Sequence, residues 1–244
     1  AALLHDVTHL PYGHSIEDQE GIFARHDSAH RYAHLLSRES EVGRALEELG
    51  LRAQIHGILV QGQAARPLPP YWSQIISGTI AADILDYLAR DAYFTGLRLE
   101  VDPRVTSYFK VDRSSGNLYI DLAKHDLLRE DILSEIVRML EARYYFSERV
   151  YYHHAKVAAD AMLARAVDIT LREAGLTEQE LYDQTDASLG DFLERRVARA
   201  GEAARQRVAQ LLERFRLRRL YKRACVFPRY ENEAVQEGYG GISR

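Results

Sequence analysis

The sequence predicts an all-α fold carrying one small β-hairpin, and three observations lead there. Apolar residues recur at three- and four-residue spacing along most of the chain, as at Ala29, Tyr32, Ala33 and Leu36, which is the period of a buried helix face. The period changes in "YFKVDRSSGNLYIDL". There Phe109, Val111, Leu118, Ile120 and Leu122 flank the turn residues Ser114, Ser115, Gly116 and Asn117, the pattern of two short strands and a turn. Gly and Pro fall between the periodic segments, at Pro11, Gly13, Pro67, Pro69, Pro70 and Gly96, where helices are expected to stop.

Taken in order, residues 1–9 read as a short apolar helix closed by Pro11, Tyr12 and Gly13. Asp27 or Ser28 is placed to cap a second helix running to Leu36, because a short polar side chain satisfies free N–H groups there. An apolar segment over 55–60 precedes "QAARPLPPYW", whose prolines forbid regular structure. A strong helix is expected over 73–94, stopped by Gly96, since glycine adopts the left-handed C-cap without strain. After the hairpin comes the longest helical region, 127–174, read as two helices joined near 144–147. Residues 176–191 read as short helices and loops, and 202–220 as an Arg-rich helix. "YKRACVFPRY" reads as the start of a strand in a small mixed C-terminal portion. The expected division is a core over 1–175 and an incomplete helical extension over 176–244. The chain lacks an initiator Met and opens inside an apparent helix, so an N-terminal part is expected upstream.

Composition narrows the classes of function. A chain of 244 residues buries a sizeable core without disulfides. The single Cys225 has no internal partner, which points to a reducing cytoplasm. Hydrophobic residues at 46% and charged residues at 28% are ordinary for a globular protein. A net charge of −4 argues against bulk attraction to nucleic acid or a membrane surface. No apolar run reaches the roughly 18–20 residues that span a bilayer.

Chemistry concentrates in "LLHDVTHLPYGHS", which places His5, Asp6, His9 and His14 close together, with His26 at the start of the next helix. On a helix, His9 shares a face with His5. Imidazole with carboxylate suits a divalent metal such as iron, manganese, zinc or nickel. Such an ion activates water and polarises a phosphoryl oxygen. His9 or His14 taken alone reads equally as a structural histidine. A second cluster lies in "AADILDYLARDAYFTG", where Asp83, Asp86, Tyr87, Arg90 and Asp91 recur at helical spacing. Its plainer reading is a solvated face with an Asp86–Arg90 pair, worth a few tenths of a kcal/mol. Against that, Ile84, Leu85 and Leu88 form an apolar face beside Asp83.

Together, "HDVTHLPYGHS", His26, "DILDYLARD" and "RYYFSERVYYHHAKVAADAML" resemble the HD-domain phosphohydrolases. Within them they resemble the deoxynucleoside triphosphate triphosphohydrolase branch, that of the SAM-and-HD-domain enzyme and bacterial dGTPases. The resemblance spans residues 1–168 and implies an HD-domain helical bundle. It also implies a divalent metal (Mn, Fe, Mg, Zn or Ni) held by His5, Asp6 and Asp83, with a further His upstream of Ala1. It implies that His9 faces the α-phosphate, that His26 donates a proton, and that Glu17 orients His26 where the family has Asp. Tyr87 and Asp91 match residues that contact the sugar, and His14 takes a supporting place. The family's Lys after the metal-binding Asp is Ile84 here. Its phosphate-binding Arg aligns near Tyr145, with Arg143 and Arg149 beside it, so the reaction class is better matched than the dNTP substrate. Another nucleotide phosphoester, or a non-catalytic nucleotide-sensing module, remains an alternative. The resemblance further implies a homo-oligomer and admits a nucleotide effector.

Other features carry two readings each. Arg143, Arg149, His153, His154 and Lys156 line a nucleotide pocket or face solvent. The tyrosines of "RYYFSERVYYHH" stack on a base or form a core stripe. The Arg-rich run from 195 to 223 is interrupted by Glu194, Glu202 and Glu213 at its edge and interior, and a solvated amphipathic helix is the expected state.

Overall fold

In a computed structural model, the chain is described over residues 1–19, 21–60, 68–99, 101–224, 226 and 237. It is mostly helical, with two small antiparallel sheets. A 3-10 turn, Ala2–Leu4, is followed by α1 (His14–Glu17), α2 (Ala29–Leu35), α3 (Glu41–Glu48) and α4 (Arg52–Leu59). Then come α5 (Tyr71–Gln74) and α6 (Ala82–Thr95), and the strands β1 (Phe109–Val111), β2 (Leu118–Ile120), β3 (Ala123–Lys124) and β4 (Leu127–Leu128). The long helices α7 (Glu130–Phe146) and α8 (His154–Ala174) are joined by a π-helical turn, Ser147–Tyr151. The helices α9 (Asp186–Val197) and α10 (Glu202–Arg216) complete the series. Among the described residues, no helix is long and apolar enough to cross a membrane.

The hairpin forms as expected, with Phe109 opposite Ile120 and Val111 opposite Leu118. Gly96 stops α6 in the left-handed region, at φ 69°. Three expectations are corrected. Residues 5–9 are not helical: the His9 N–H donates to the Asp6 carbonyl at 3.1 Å, and the Thr8 hydroxyl donates to the His26 carbonyl at 2.8 Å. These turn and side-chain bonds replace the helix ladder, so His5 and His9 do not share a helix face. The helix expected over 73–94 is two, α5 and α6, broken across Ser77, Gly78 and Thr79, residues with poor helix propensity. That break places Asp83 in the first turn of α6, where a carboxylate is favoured by the helix dipole. The junction between α7 and α8 falls later than expected, and His153 caps α8 by accepting the Ala155 N–H at 3.3 Å.

The second sheet, β3 with β4, turns through His125 and Asp126, both at positive φ. A two-residue hairpin of this kind normally announces itself with Asn-Gly or Asp-Gly. Residues 221–224 and 226 carry no regular element. The remainder of "YKRACVFPRY", and Pro67, lie outside the described residues.

The largest apolar cluster joins Leu10 and Ile16 to Met162, Leu163, Ala166 and Val167 of α8, and continues through Leu181, Leu189, Leu193, Val208 and Leu212. Each of the larger side chains, Val, Leu, Ile or Met, contributes about 1.5–3 kcal/mol by leaving water. The 176–216 segment therefore shares one core with α1 and α8. Tyr32, Leu36, Leu46, Ile55 and Val60 form a second cluster under α2–α4. Ile84, Leu88, Ala92 and Phe146 form a third, between α6 and α7. The first and second clusters hold the two ends of the segment 5–26, and the third holds α6 across from it.

Candidate metal centre

His5 follows the 3-10 turn, and its Nδ1 lies 2.7 Å from the Ala2 carbonyl oxygen. A carbonyl only accepts, so a proton sits on Nδ1, and in the neutral ring the lone pair is on Nε2. That Nε2 is shielded from solvent and makes no hydrogen bond. It lies 3.3 Å from Asp6 Oδ2 and 3.4 Å from Asp83 Oδ1. A buried lone pair facing two carboxylate oxygens is an uncompensated arrangement. The donors converge within 4.8 Å of one another, and one nitrogen with two carboxylates fits a borderline divalent cation.

A second group adjoins the first through Asp6. Its Oδ1 is 3.7 Å from Nε2 of both His9 and His26. The His9 and His26 rings stack at 3.8 Å, and His14 stands edge-on to both at 4.8 and 5.2 Å. Behind the stacked pair, Glu17 has a side chain with no solvent exposure. Its Oε2 accepts the His9 Nδ1–H at 3.0 Å and the His26 backbone N–H at 3.1 Å. The His26 Nδ1 lies 3.5 Å from the same oxygen, too far for a formed bond, and has no other partner. Glu17 Oε1 accepts the Leu10 N–H at 2.8 Å and Arg31 Nη1 at 2.5 Å. Burial alone would raise the Glu17 pKa. The adjacent His26 ring and the bonds from His9, Leu10 and Arg31 outweigh it and hold this carboxyl well below the usual range, so it is an acceptor only. His9 therefore presents Nε2 to the cleft. Gly13, at φ 46°, passes so near that a Cβ there would lie 3.2 Å from His9 Nδ1.

His14 is half-exposed and bonds Asp18 through Nδ1 at 3.2 Å, where Arg25 also pairs. On the facing wall, the Tyr151 hydroxyl donates to Asp91 Oδ2 at 2.7 Å, and its ring meets Tyr87 edge-on at 5.8 Å. Burial, and then Asp91, push the Tyr151 hydroxyl well above the ordinary tyrosine value. It is therefore a fixed donor. The two walls enclose a cleft of about 1020 Å³ lined by His5, His9, His26, Asp83, Tyr87 and Asp91, among others.

Arg149 and His153 stand away from the residues that line this cleft, whereas Arg143 reaches one wall residue, Tyr87. Arg143 donates to the Thr79 carbonyl at 3.2 Å, Arg149 lies over the Tyr145 ring at 4.7 Å, and His153 caps α8. Lys156 pairs with Asp160 at 2.6 Å. Among the described residues, the guanidinium groups that line the cleft are Arg25 and Arg90, and Arg90 pairs with Asp86 at 2.6 Å. Sequence reasoning missed Arg31 and Glu178, and it read Tyr151 only as one of a run of tyrosines, not as the partner of Asp91. Arg31 gives one weak signal, a charge directly beside the apolar Tyr32–Leu36 stripe, and it is fully buried. Glu178 gives none, because its contact lies 147 positions away.

Residues 125–238 match the family described as HD associated region. Over 97% of its length, the chain is 27% identical to the uncharacterised protein MJ1154 of Methanocaldococcus jannaschii, and covers 45% of that protein. Over 68% of its length it is 25% identical to the uncharacterised protein YwfO of Bacillus subtilis, and covers 35% of it. The chain thus spans less than half the length of these relatives. Among solved structures it is similar to a phosphohydrolase of Bacteroides thetaiotaomicron, BT4208, with a TM-score of 0.58 and 21% identity. The match covers 99% of this chain and 63% of that one. The two share a fold.

Proposed function

We propose that this chain is the core of a metal-dependent HD phosphohydrolase that cleaves deoxynucleoside triphosphates to deoxynucleoside and inorganic triphosphate. One observation carries the reading. The unpartnered His5 Nε2 between Asp6 and Asp83 lies beside a stacked His9–His26 pair backed by an ionised Glu17. His5, Asp6 and Asp83 would hold a divalent cation, which supplies Lewis acidity toward a phosphoryl oxygen and an attacking water. The chain's own groups do the rest. His9, its Nδ1–H fixed by Glu17, presents Nε2 to the phosphate. His26 gives a proton to the leaving 5′-oxygen as the α-phosphorus to oxygen bond breaks and the water oxygen bonds to that phosphorus. Tyr87 and Asp91 receive the sugar, with Asp91 held in place by Tyr151.

A second reading is favoured by Ile84, which is buried where the resembled family carries Lys, and by the pairing of Arg90 with Asp86. A cleft with few free cations recognises a long polyphosphate weakly, which points to another nucleotide phosphoester: a mono-, di- or cyclic form. Full-length protein reconstituted with manganese, iron, magnesium, zinc or nickel decides between the two. Each dNTP is assayed for triphosphate release, alone and with the other nucleotides added as effectors, beside nucleoside mono-, di- and cyclic phosphates. Triphosphate release supports the first reading, and turnover confined to the other esters replaces it with the second. A protein that binds no metal and turns over no phosphoester refutes both.

A further inference from the structure

Glu17 owes its orientation to residues far from the cleft. Its Oε1 is held by Arg31, whose side chain is almost wholly buried and spends its donors in four directions. Arg31 Nη1 reaches Glu17 and, at 3.3 Å, the Thr8 carbonyl, and Nη2 reaches the Ala24 carbonyl at 2.5 Å. Nε reaches Glu178 Oε1 at 2.8 Å. Glu178 in turn accepts from His30 Nε2 at 2.8 Å and from the Tyr182 hydroxyl at 2.7 Å. It immediately precedes the 3-10 turn Gln179–Leu181, whose Leu181 is fixed in the main core.

We infer that Arg31 and Glu178 are positioning residues for the His9–His26 pair, so that the segment following α8 completes a site to which it contributes no contact. The physics is that of a cation between two carboxylates. Glu178 draws Arg31 away from the cleft and Glu17 draws it toward the cleft, and the guanidinium plane settles between them. That plane fixes the rotation of the Glu17 carboxylate, with Oε1 toward Arg31 and Oε2 toward the two imidazoles. Without the Glu178 charge, Arg31 has one counterion left. Glu17 is then pulled to share both oxygens with it, and His9 loses the acceptor that fixes its tautomer. A carboxylate behind a working imidazole commonly matters through this orientation.

The inference rests on the phosphohydrolase reading for its kinetic test only. In the full-length protein, Glu178→Gln keeps the shape of the side chain and removes its charge. The expected result is a fall in kcat of about tenfold, with KM and metal content within about twofold of wild type. The ring nitrogen resonances of His9 and His26 shift in the zinc-loaded protein. Asp168→Asn removes a similarly buried carboxylate, paired with Arg165 and Arg172 away from the cleft, and leaves both measurements unchanged. Tyr182→Phe removes one bond to Glu178 and produces a smaller change in the same direction, which keeps the test open where Glu178→Gln fails to fold. A folded Glu178→Gln with wild-type kcat and unmoved His9 and His26 resonances overturns the inference. If the protein hydrolyses no phosphoester, the proposed function falls, and the ring resonances still decide the positioning role.

Discussion

His5 carries a proton on Nδ1 because Ala2 offers only a carbonyl, and this single hydrogen bond turns Nε2 toward Asp6 and Asp83. Asp83 is brought to it by the start of α6, not by sequence proximity. Asp83→Ala is therefore expected to abolish metal binding, read as metal per chain after reconstitution and desalting. Full occupancy in that variant removes Asp83 from the ligand set. Glu17 makes the opposite kind of prediction, about stability. Its folded-state pKa is lowered from an ordinary value of 4.5, so its contribution is fully present above that value and is lost as pH falls toward the folded pKa. Glu17→Gln leaves Arg31 half-paired in a buried setting, which costs about 3–5 kcal/mol at neutral pH. Urea denaturation of the two proteins at pH 7 and at pH 3.5 should show the gap narrowing at the lower pH, because wild type alone loses this term. A gap that stays constant shows that Glu17 does not bear the charge assigned to it.

At the scale of elements, local pattern and tertiary contact divide what the sequence reveals. The helices α2, α6, α7, α8 and α10 and the first hairpin were legible, because apolar period and punctuation act within a few residues. Helix α3 was not read, since Val42, Gly43 and Leu46 are its inward positions amid charge. Its Gly43 lies against the Ser37 backbone, too near to admit a Cβ. The loop at 5–9 and the break before α6 depend on turn bonds that compete with an otherwise plausible helix. The grouping of His5 and Asp6 with Asp83, and of His9 and Glu17 with His26, could be anticipated from motif resemblance. The bracing of Glu17 by Arg31 and Glu178 could not, because nothing local marks it. Packing of α9 onto α8 supplies a direct check on the element picture. Leu193 is fully buried in the main cluster and Leu128 is exposed on β4. Leu193→Ala is expected to lower the unfolding free energy by about 2–5 kcal/mol, and Leu128→Ala to change it by no more than about 0.5 kcal/mol. Equal effects in denaturant titrations contradict the assignment of the core.

The whole molecule has unequal cores, and their inequality predicts how it opens. The main cluster ties α1, α8, α9 and α10 together, and the cluster under α2–α4 holds five buried residues among those described. Apolar burial sets local stability, so the larger unit should exchange its amide hydrogens only on global unfolding and the smaller one by local opening. Helix α2 stands between them. Its Tyr32 and Leu36 belong to the small cluster, but Arg31 binds it to Glu17 and Glu178 of the large one. In hydrogen-exchange mass spectrometry, amides inside α8 should be the slowest, those of α3 and α4 markedly faster, and those of α2 close to α8. Glu178→Gln should move α2 toward the rates of α3 and α4 while leaving α8 unchanged, since it cuts the tie and not the core. If α2 already exchanges with α3 and α4 in the wild type, the ionic tie does not couple the two units. Arg31 of α2 and Glu17 of α1 would then sit on separately opening parts, and the carboxylate behind His9 and His26 would lose its brace whenever α2 opens.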